Sequence, residues 1–133
     1  MPLVRISLLK GKPASYRRKV GDAIHQAMVE TINVPAKDRF QIITEHDAED
    51  MDFNREFLGI HRSRELIMVQ ITLALGRSLH LKRALYRTVA QRLGTAVGLR
   101  PEDVWINLVE VARENWSFGN GIASYASEET APA

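Results

Sequence analysis

Met1-Pro2-Leu3-Val4-Arg5-Ile6-Ser7-Leu8-Leu9 opens the chain with Val4, Ile6 and Leu8 alternating against Arg5 and Ser7. A period of two predicts a β-strand with one apolar face. The pattern returns 65 positions later, carrying Val4 onto Val69, Ile6 onto Ile71, Ser7 onto Thr72, Leu8 onto Leu73 and Gly11 onto Gly76. The same shift carries Lys12 onto Arg77, Arg18 onto Arg83, Gln26 onto Gln91, Asp38 onto Asp103, Phe40 onto Trp105 and Glu45 onto Glu110. A gapless match of this length is an internal duplication, and the unit duplicated has the order strand, helix, strand.

Each unit reads outward from its first strand. Lys10-Gly11-Lys12-Pro13 is a turn, and the spacing of Val20, Ala23, Ile24, Ala27, Met28 and Ile32 predicts a helix over 14–32. Pro35 disfavours helix at Val34, so the helix ends at Asn33. A second strand is expected over 39–45 and a third over 65–75. Gly76-Arg77-Ser78 then turns into a helix over 79–97, striped by Leu81, Leu85, Val89, Leu93 and Val97, and a fourth strand follows over 104–111. The expected fold is α+β. Each β-α-β unit is parallel with a right-handed crossover, and two units side by side give a four-stranded mixed sheet with both helices on one face. The uncovered face stays half apolar and asks for a homo-oligomer.

The domain plan is one domain over 1–126: repeat one about 2–45, an excursion over 46–64 read as a short hairpin, repeat two about 65–111, and an aromatic segment over 112–126. A flexible tail is expected over 127–133. The 133 residues suffice for one hydrophobic core, and their 45% hydrophobic and 26% charged content is that of a globular protein. With no cysteine, disulfides, thiolate metal sites and cysteine nucleophiles are excluded. His25, His46, His61 and His80 lack metal-ligand spacing, so no metal and no cofactor is expected. The longest apolar stretch, 66–75, is broken by Gln70 and Thr72 and too short for a bilayer, and Arg5 and Lys10 break any signal-peptide core. Cytoplasmic location without membrane contact is the expectation. A net charge of +2 gives no ground for a nucleic-acid partner.

The first strand also carries chemistry. Once Met1 is removed, Pro2 presents a secondary amine, held by the strand at the edge of a sheet. An α-amino group titrates near about 7.7–8.0 and lower in apolar surroundings, so it can serve as acid or base at neutral pH. Pro2 pairs with Ile67 in the repeat, where no amine exists. The duplication therefore left one chemical half and one scaffold half.

A Met-Pro start, the duplicated unit, Val34-Pro35-Ala36-Lys37-Asp38-Arg39-Phe40-Gln41-Ile42, Gly76-Arg77-Ser78 and Trp116-Ser117-Phe118-Gly119-Asn120-Gly121 together resemble the tautomerase superfamily, and within it the malonate semialdehyde decarboxylase group. The resemblance runs from Pro2 to about Tyr125. It implies that Pro2 is the catalytic amine, that Asp38 acts on the amine or on a water, and that Arg77 holds the substrate carboxylate. Trp116 and Phe118 would wall the pocket, and the protein would be a homotrimer. It also implies a small oxo acid substrate, decarboxylated as a 3-oxo acid or tautomerised as a 2-oxo acid such as phenylpyruvate. A non-catalytic ligand-binding member of the fold is the other reading.

The residues support these roles to different degrees. Arg77 offers a planar fork for a carboxylate at a helix N-terminus, with Lys12 and Arg39 the next candidates. Asp38 either serves the amine or, like Asp103, caps a loop. Trp116 and Phe118 either dry the pocket or belong to the core.

Overall fold

The computed structural model describes residues 1–125. Six regular elements follow in the order β1 (Leu3–Leu9), α1 (Ala14–Ile32), β2 (Gln41–His46), β3 (Ile67–Ala74), α2 (Leu79–Val97) and β4 (Val104–Val111). They form one four-stranded sheet in the order β2-β1-β3-β4. β1 pairs parallel with β2, β3 parallel with β4, and β1 antiparallel with β3 across the join of the two units. The stagger is the same in both repeats, Val4 opposite Gln41 and Val69 opposite Ile106. The fold is the α+β duplication expected.

Both helices cover the same face. Val4, Ile6, Leu8, Val69, Ile71 and Leu73 point into a core completed by Val20, Ile24 and Met28 of α1 and by Leu85, Val89 and Leu93 of α2. Each such side chain contributes about 1.5–3 kcal/mol on burial. Gly11 and Gly76 occupy equivalent turns with φ of 126° and 124°, and a Cβ at either would meet nothing within 4 Å. The glycine is required there by backbone angle, not by space. Ser78 caps α2 by accepting from the Leu81 amide at 3.2 Å.

Among the described residues nothing covers the opposite face. Ile42, Arg5, Gln70 and Trp105 stand exposed on it, Trp105 at 41% and Ile42 at 45%. No helix among the described residues is long and apolar enough to cross a membrane.

Three local expectations are corrected. β2 begins at Gln41, because Asp38 and Arg39 close a turn on Pro35 and Lys37 before pairing starts. The excursion holds two short 3-10 turns, Ala48–Asp50 and Phe57–Gly59, where a hairpin was expected. Arg62 ties the second one by donating to the carbonyls of Phe57 and Ile60. Lastly, β1 is an inner strand, so the amine lies at the end of the sheet between two neighbours and not at its side edge. The tail over 127–133 lies outside the described residues.

Candidate active site

Strand register alone brings the site together. Continuing the antiparallel β1–β3 pairing, in which Leu3 faces Thr72, sets the first two residues opposite Leu73 and Ala74, just before Gly76-Arg77. Continuing the parallel β1–β2 pairing sets them beside Asp38 and Arg39, and the Val4 amide donates to the Phe40 carbonyl at 3.0 Å. On the far side Ala74 pairs with Val111 and the Leu75 amide donates to the Val111 carbonyl, so the chain leaving β4 arrives at the level of Gly76. Three connections thus end around the N-terminus.

The amine of Met1 donates to the Tyr125 hydroxyl at 2.7 Å and lies 3.9 Å from Oδ2 of Asp38. Beside it opens a cavity of about 350 Å³ lined by Met1, Ile32, Gly76, Arg77, Arg113 and Tyr125. Burial pulls the pKa of the amine below the ordinary value, Arg77 and Arg113 pull the same way, and Asp38 opposes them. The net direction is down, so the neutral base is more populated at neutral pH than on a free peptide. Pro2, one residue inward, is buried.

Asp38 and Asp103 occupy equivalent places and behave differently. Asp103 is 1% exposed and fully engaged, accepting from the Ser63 amide at 2.6 Å, the Ser63 hydroxyl at 2.7 Å and Arg100 Nε at 3.2 Å. It is a structural latch, and its pKa is held below the ordinary carboxylate value because those hydrogen bonds outweigh the larger opposing effect of burial. Asp38 has no such latch. Its side chain is 12% exposed, Oδ1 is buried without a hydrogen-bond partner, and Oδ2 faces the amine. A buried carboxylate oxygen left open in this way is costly unless something else binds there. The turn carrying Asp38 is anchored by His25, whose Nε2 donates to the Ala36 carbonyl at 2.8 Å from a ring only 7% exposed.

Arg77 reaches the cavity with its Nη1 donating to the Ala74 carbonyl at 3.1 Å. The two other cationic candidates are engaged elsewhere, Lys12 with Glu65 at 2.8 Å and Arg39 with Asp22 at 2.7 Å. Trp116 and Phe118 do not line the cavity; they stand behind Tyr125. The Trp116 and Phe118 rings lie 5.3 Å apart, and Phe118 meets Tyr125 edge-on at 5.1 Å. Ser124 closes this loop, accepting from the Phe118 amide with its hydroxyl while its own amide donates to the Trp116 carbonyl.

Two residues of the cavity went unread in the sequence, Arg113 and Tyr125. A signal for Arg113 existed: it lies two positions past the fourth strand, at the sheet end where parallel pairing with the third strand delivers it. Tyr125 carries no comparable signal. A wider groove of about 720 Å³ runs between α1 and α2, where Asp22 pairs with Arg39 and Glu30 with Arg92, and the N-terminal amine does not line it. Among the described residues no group of three or more His, Asp or Glu side chains is placed to hold a metal ion.

Comparison with known proteins gives the family. Two family models, both described as tautomerase enzyme, match residues 38–119 and 2–57. The chain belongs to the tautomerase family of enzymes. It is 41% identical to the probable tautomerase YusQ of Bacillus subtilis (strain 168), over 92% of this chain and 97% of that one. To the probable tautomerase YrdN of the same organism it is 34% identical, over 94% and 96% of the two chains. Among solved structures, FG41 malonate semialdehyde decarboxylase inhibited by 3-bromopropiolate superposes with a TM-score of 0.88 at 35% identity, covering 98% of this chain and 99% of that one. A second malonate semialdehyde decarboxylase, with decarboxylase and hydratase activities, gives 0.87 at 32%, covering 92% and 95%. A fused 4-OT that is a symmetric trimer shares the fold at 0.76 and 23% identity, covering 92% and 97%.

Proposed function

We propose that the enzyme works through the secondary amine of Pro2, released by removal of Met1, on a small oxo acid whose carboxylate pairs with Arg77. The reaction is decarboxylation of a 3-oxo acid such as malonate semialdehyde. One observation supports the reading: beside a cavity that the Met1 amine and Arg77 line stands a carboxylate with an open oxygen, Asp38, and Arg77 has no carboxylate partner among the described residues. No cofactor is called on. Arg77 holds the carboxylate, and the protonated amine, with Asp38 beside it, polarises the carbonyl. The electron pair of the breaking carbon–carboxylate bond moves toward the carbonyl oxygen, carbon dioxide leaves, and the resulting enol or enolate takes up a proton at carbon.

A second reading has an observation of its own. The surroundings lower the pKa of the Met1 amine; the same surroundings acting on the Pro2 amine would favour its neutral form, which can take a proton α to a carbonyl and return it elsewhere. That is keto–enol tautomerisation of a 2-oxo acid such as phenylpyruvate. The exposed sheet face with Trp105 and Ile42 supports a homotrimer, the assembly of the fused 4-OT.

The test is turnover of both substrates by protein whose intact mass confirms loss of Met1. Pro2→Ala, or a preparation that verifiably retains Met1, should lose at least about a hundredfold, in line with a positioned acid–base group. Full activity with Met1 in place would end the mechanism.

A further inference from the structure

We propose that Arg113 is a second anion-holding residue of this site and selects oxo acids that carry a second carboxylate. The inference rests on the reading above, in which the cavity beside the amine takes an oxo acid through Arg77. Arg113 lines that same cavity from the opposite connection, the one leaving β4. Its guanidinium carbon stands 5.5 Å over the Tyr125 ring, a cation–π placement that orients the fork without consuming its hydrogen-bond donors. The Arg113–Asn115 turn fixes its backbone, with the Asn115 amide donating to Ala112 and the Trp116 amide to Arg113.

Charge makes the case. None of the ion pairs among the described residues uses Arg77 or Arg113, so neither guanidinium of this cavity has a carboxylate partner there. Against these two cations the described residues bring one carboxylate near the cavity, that of Asp38, 3.9 Å from the Met1 amine. With the amine protonated the site carries two uncompensated positive charges, and with the amine neutral it carries one. A monocarboxylate on Arg77 leaves Arg113 without a counter-charge, whereas an oxo dicarboxylate answers both. Depth orders the two ends. Arg77 is half-buried and tied to Ala74, so it takes the inner carboxylate, while Arg113 is exposed at the mouth and takes the outer one. A cavity of about 350 Å³ has room for such a molecule.

Unreactive acids test the idea apart from turnover. Calorimetric titration of the full chain with succinate and with propionate at low ionic strength should give succinate the tighter binding by about fivefold or more, as expected for one added charge-assisted pair at a solvent-facing guanidinium. Arg113→Gln should bring the ratio of the two affinities close to one, Arg113→Lys should restore part of it, and Arg113→Glu should reverse the preference. Arg77→Gln should weaken both acids. A ratio near one in the unaltered protein, or a ratio indifferent to Arg113→Gln, overturns the role of Arg113 while Arg77 stands. If neither acid binds, or Arg77→Gln changes nothing, the reading of the whole site falls with it.

Discussion

Replacing Asp38 by asparagine keeps the shape of the side chain and removes one charge 3.9 Å from the N-terminal amine. Coulomb's law puts that interaction at about 1 kcal/mol in bulk water and about 4 kcal/mol at an effective dielectric near 20. Losing that charge should lower the pKa of the Met1 amine, and because the cavity opens to solvent the lower end of the energy range applies. Asp38 is also the strongest charge acting on the amine, ahead of Arg77 and then Arg113. Arg77→Gln should therefore raise the pKa, and Arg113→Gln should raise it less. Titration of the nitrogen-15-labelled amine by NMR measures all three directly. An Asp38→Asn amine pKa that is unchanged or higher would refute the electrostatic account of the site. The same variant separates the two reactions. Carbonyl polarisation by a cation should fall with rising pH through the amine pKa, and proton abstraction by the neutral base should rise through it. Asp38→Asn should thus damage decarboxylation of malonate semialdehyde and largely spare phenylpyruvate ketonisation. Equal damage to both would show that Asp38 does not act through the charge of the amine.

Two other outcomes are expected. Asp103→Ala should cost about 2–4 kcal/mol in denaturant unfolding, because it strands the Ser63 donors and leaves Arg100 without its buried partner. The folded-state pKa of Asp103 lies below the ordinary value of 3.8, so its stabilisation is complete above that value and disappears as pH falls through the folded pKa; a variant as sensitive to acid as the parent would contradict this. Sedimentation should give a trimer mass, and Trp105→Lys should shift it toward monomer by placing a charge on the exposed sheet face; a monomer at all concentrations removes the assembly from the proposal.

The parts of this protein that were legible in its sequence are those set by period and repetition. Both helices span the residues their apolar stripes predict, since Ile24, Met28, Leu85 and Leu93 leave no other face to bury. The parallel pairing within each unit and the four-stranded sheet followed from duplication and the right-handed crossover, whereas the β1–β3 join did not. Strand ends were less legible, because Arg39 and Phe40 look extended yet belong to the turn that presents Asp38. The excursion was not legible at all. Its form comes from Arg62 and Asn54 bonding to nearby backbone, which leaves no periodic trace. In the site, Pro2 and Arg77 stand out as an end and a turn. Arg113 and Tyr125 fall opposite Ala48 and Ile60 in the repeat, so duplication gave them no counterpart to flag them.

That asymmetry accounts for the chemistry. The place in the second unit that corresponds to the amine site is also a cavity, of about 290 Å³, lined by Tyr16, Ser63, Glu65, Arg100 and Asp103. There the chain runs through without an end, and continuity lets it saturate every charge: Glu65 answers Lys12, and Ser63 with Arg100 answers Asp103. In the first unit the described residues bring no carboxylate to Arg77 and no donor to the open oxygen of Asp38, and the Met1 amine stands there instead. One duplicated unit thus yields a saturated latch at Asp103 and an open carboxylate at Asp38, and on the function proposed above it is the open one that is left for a substrate.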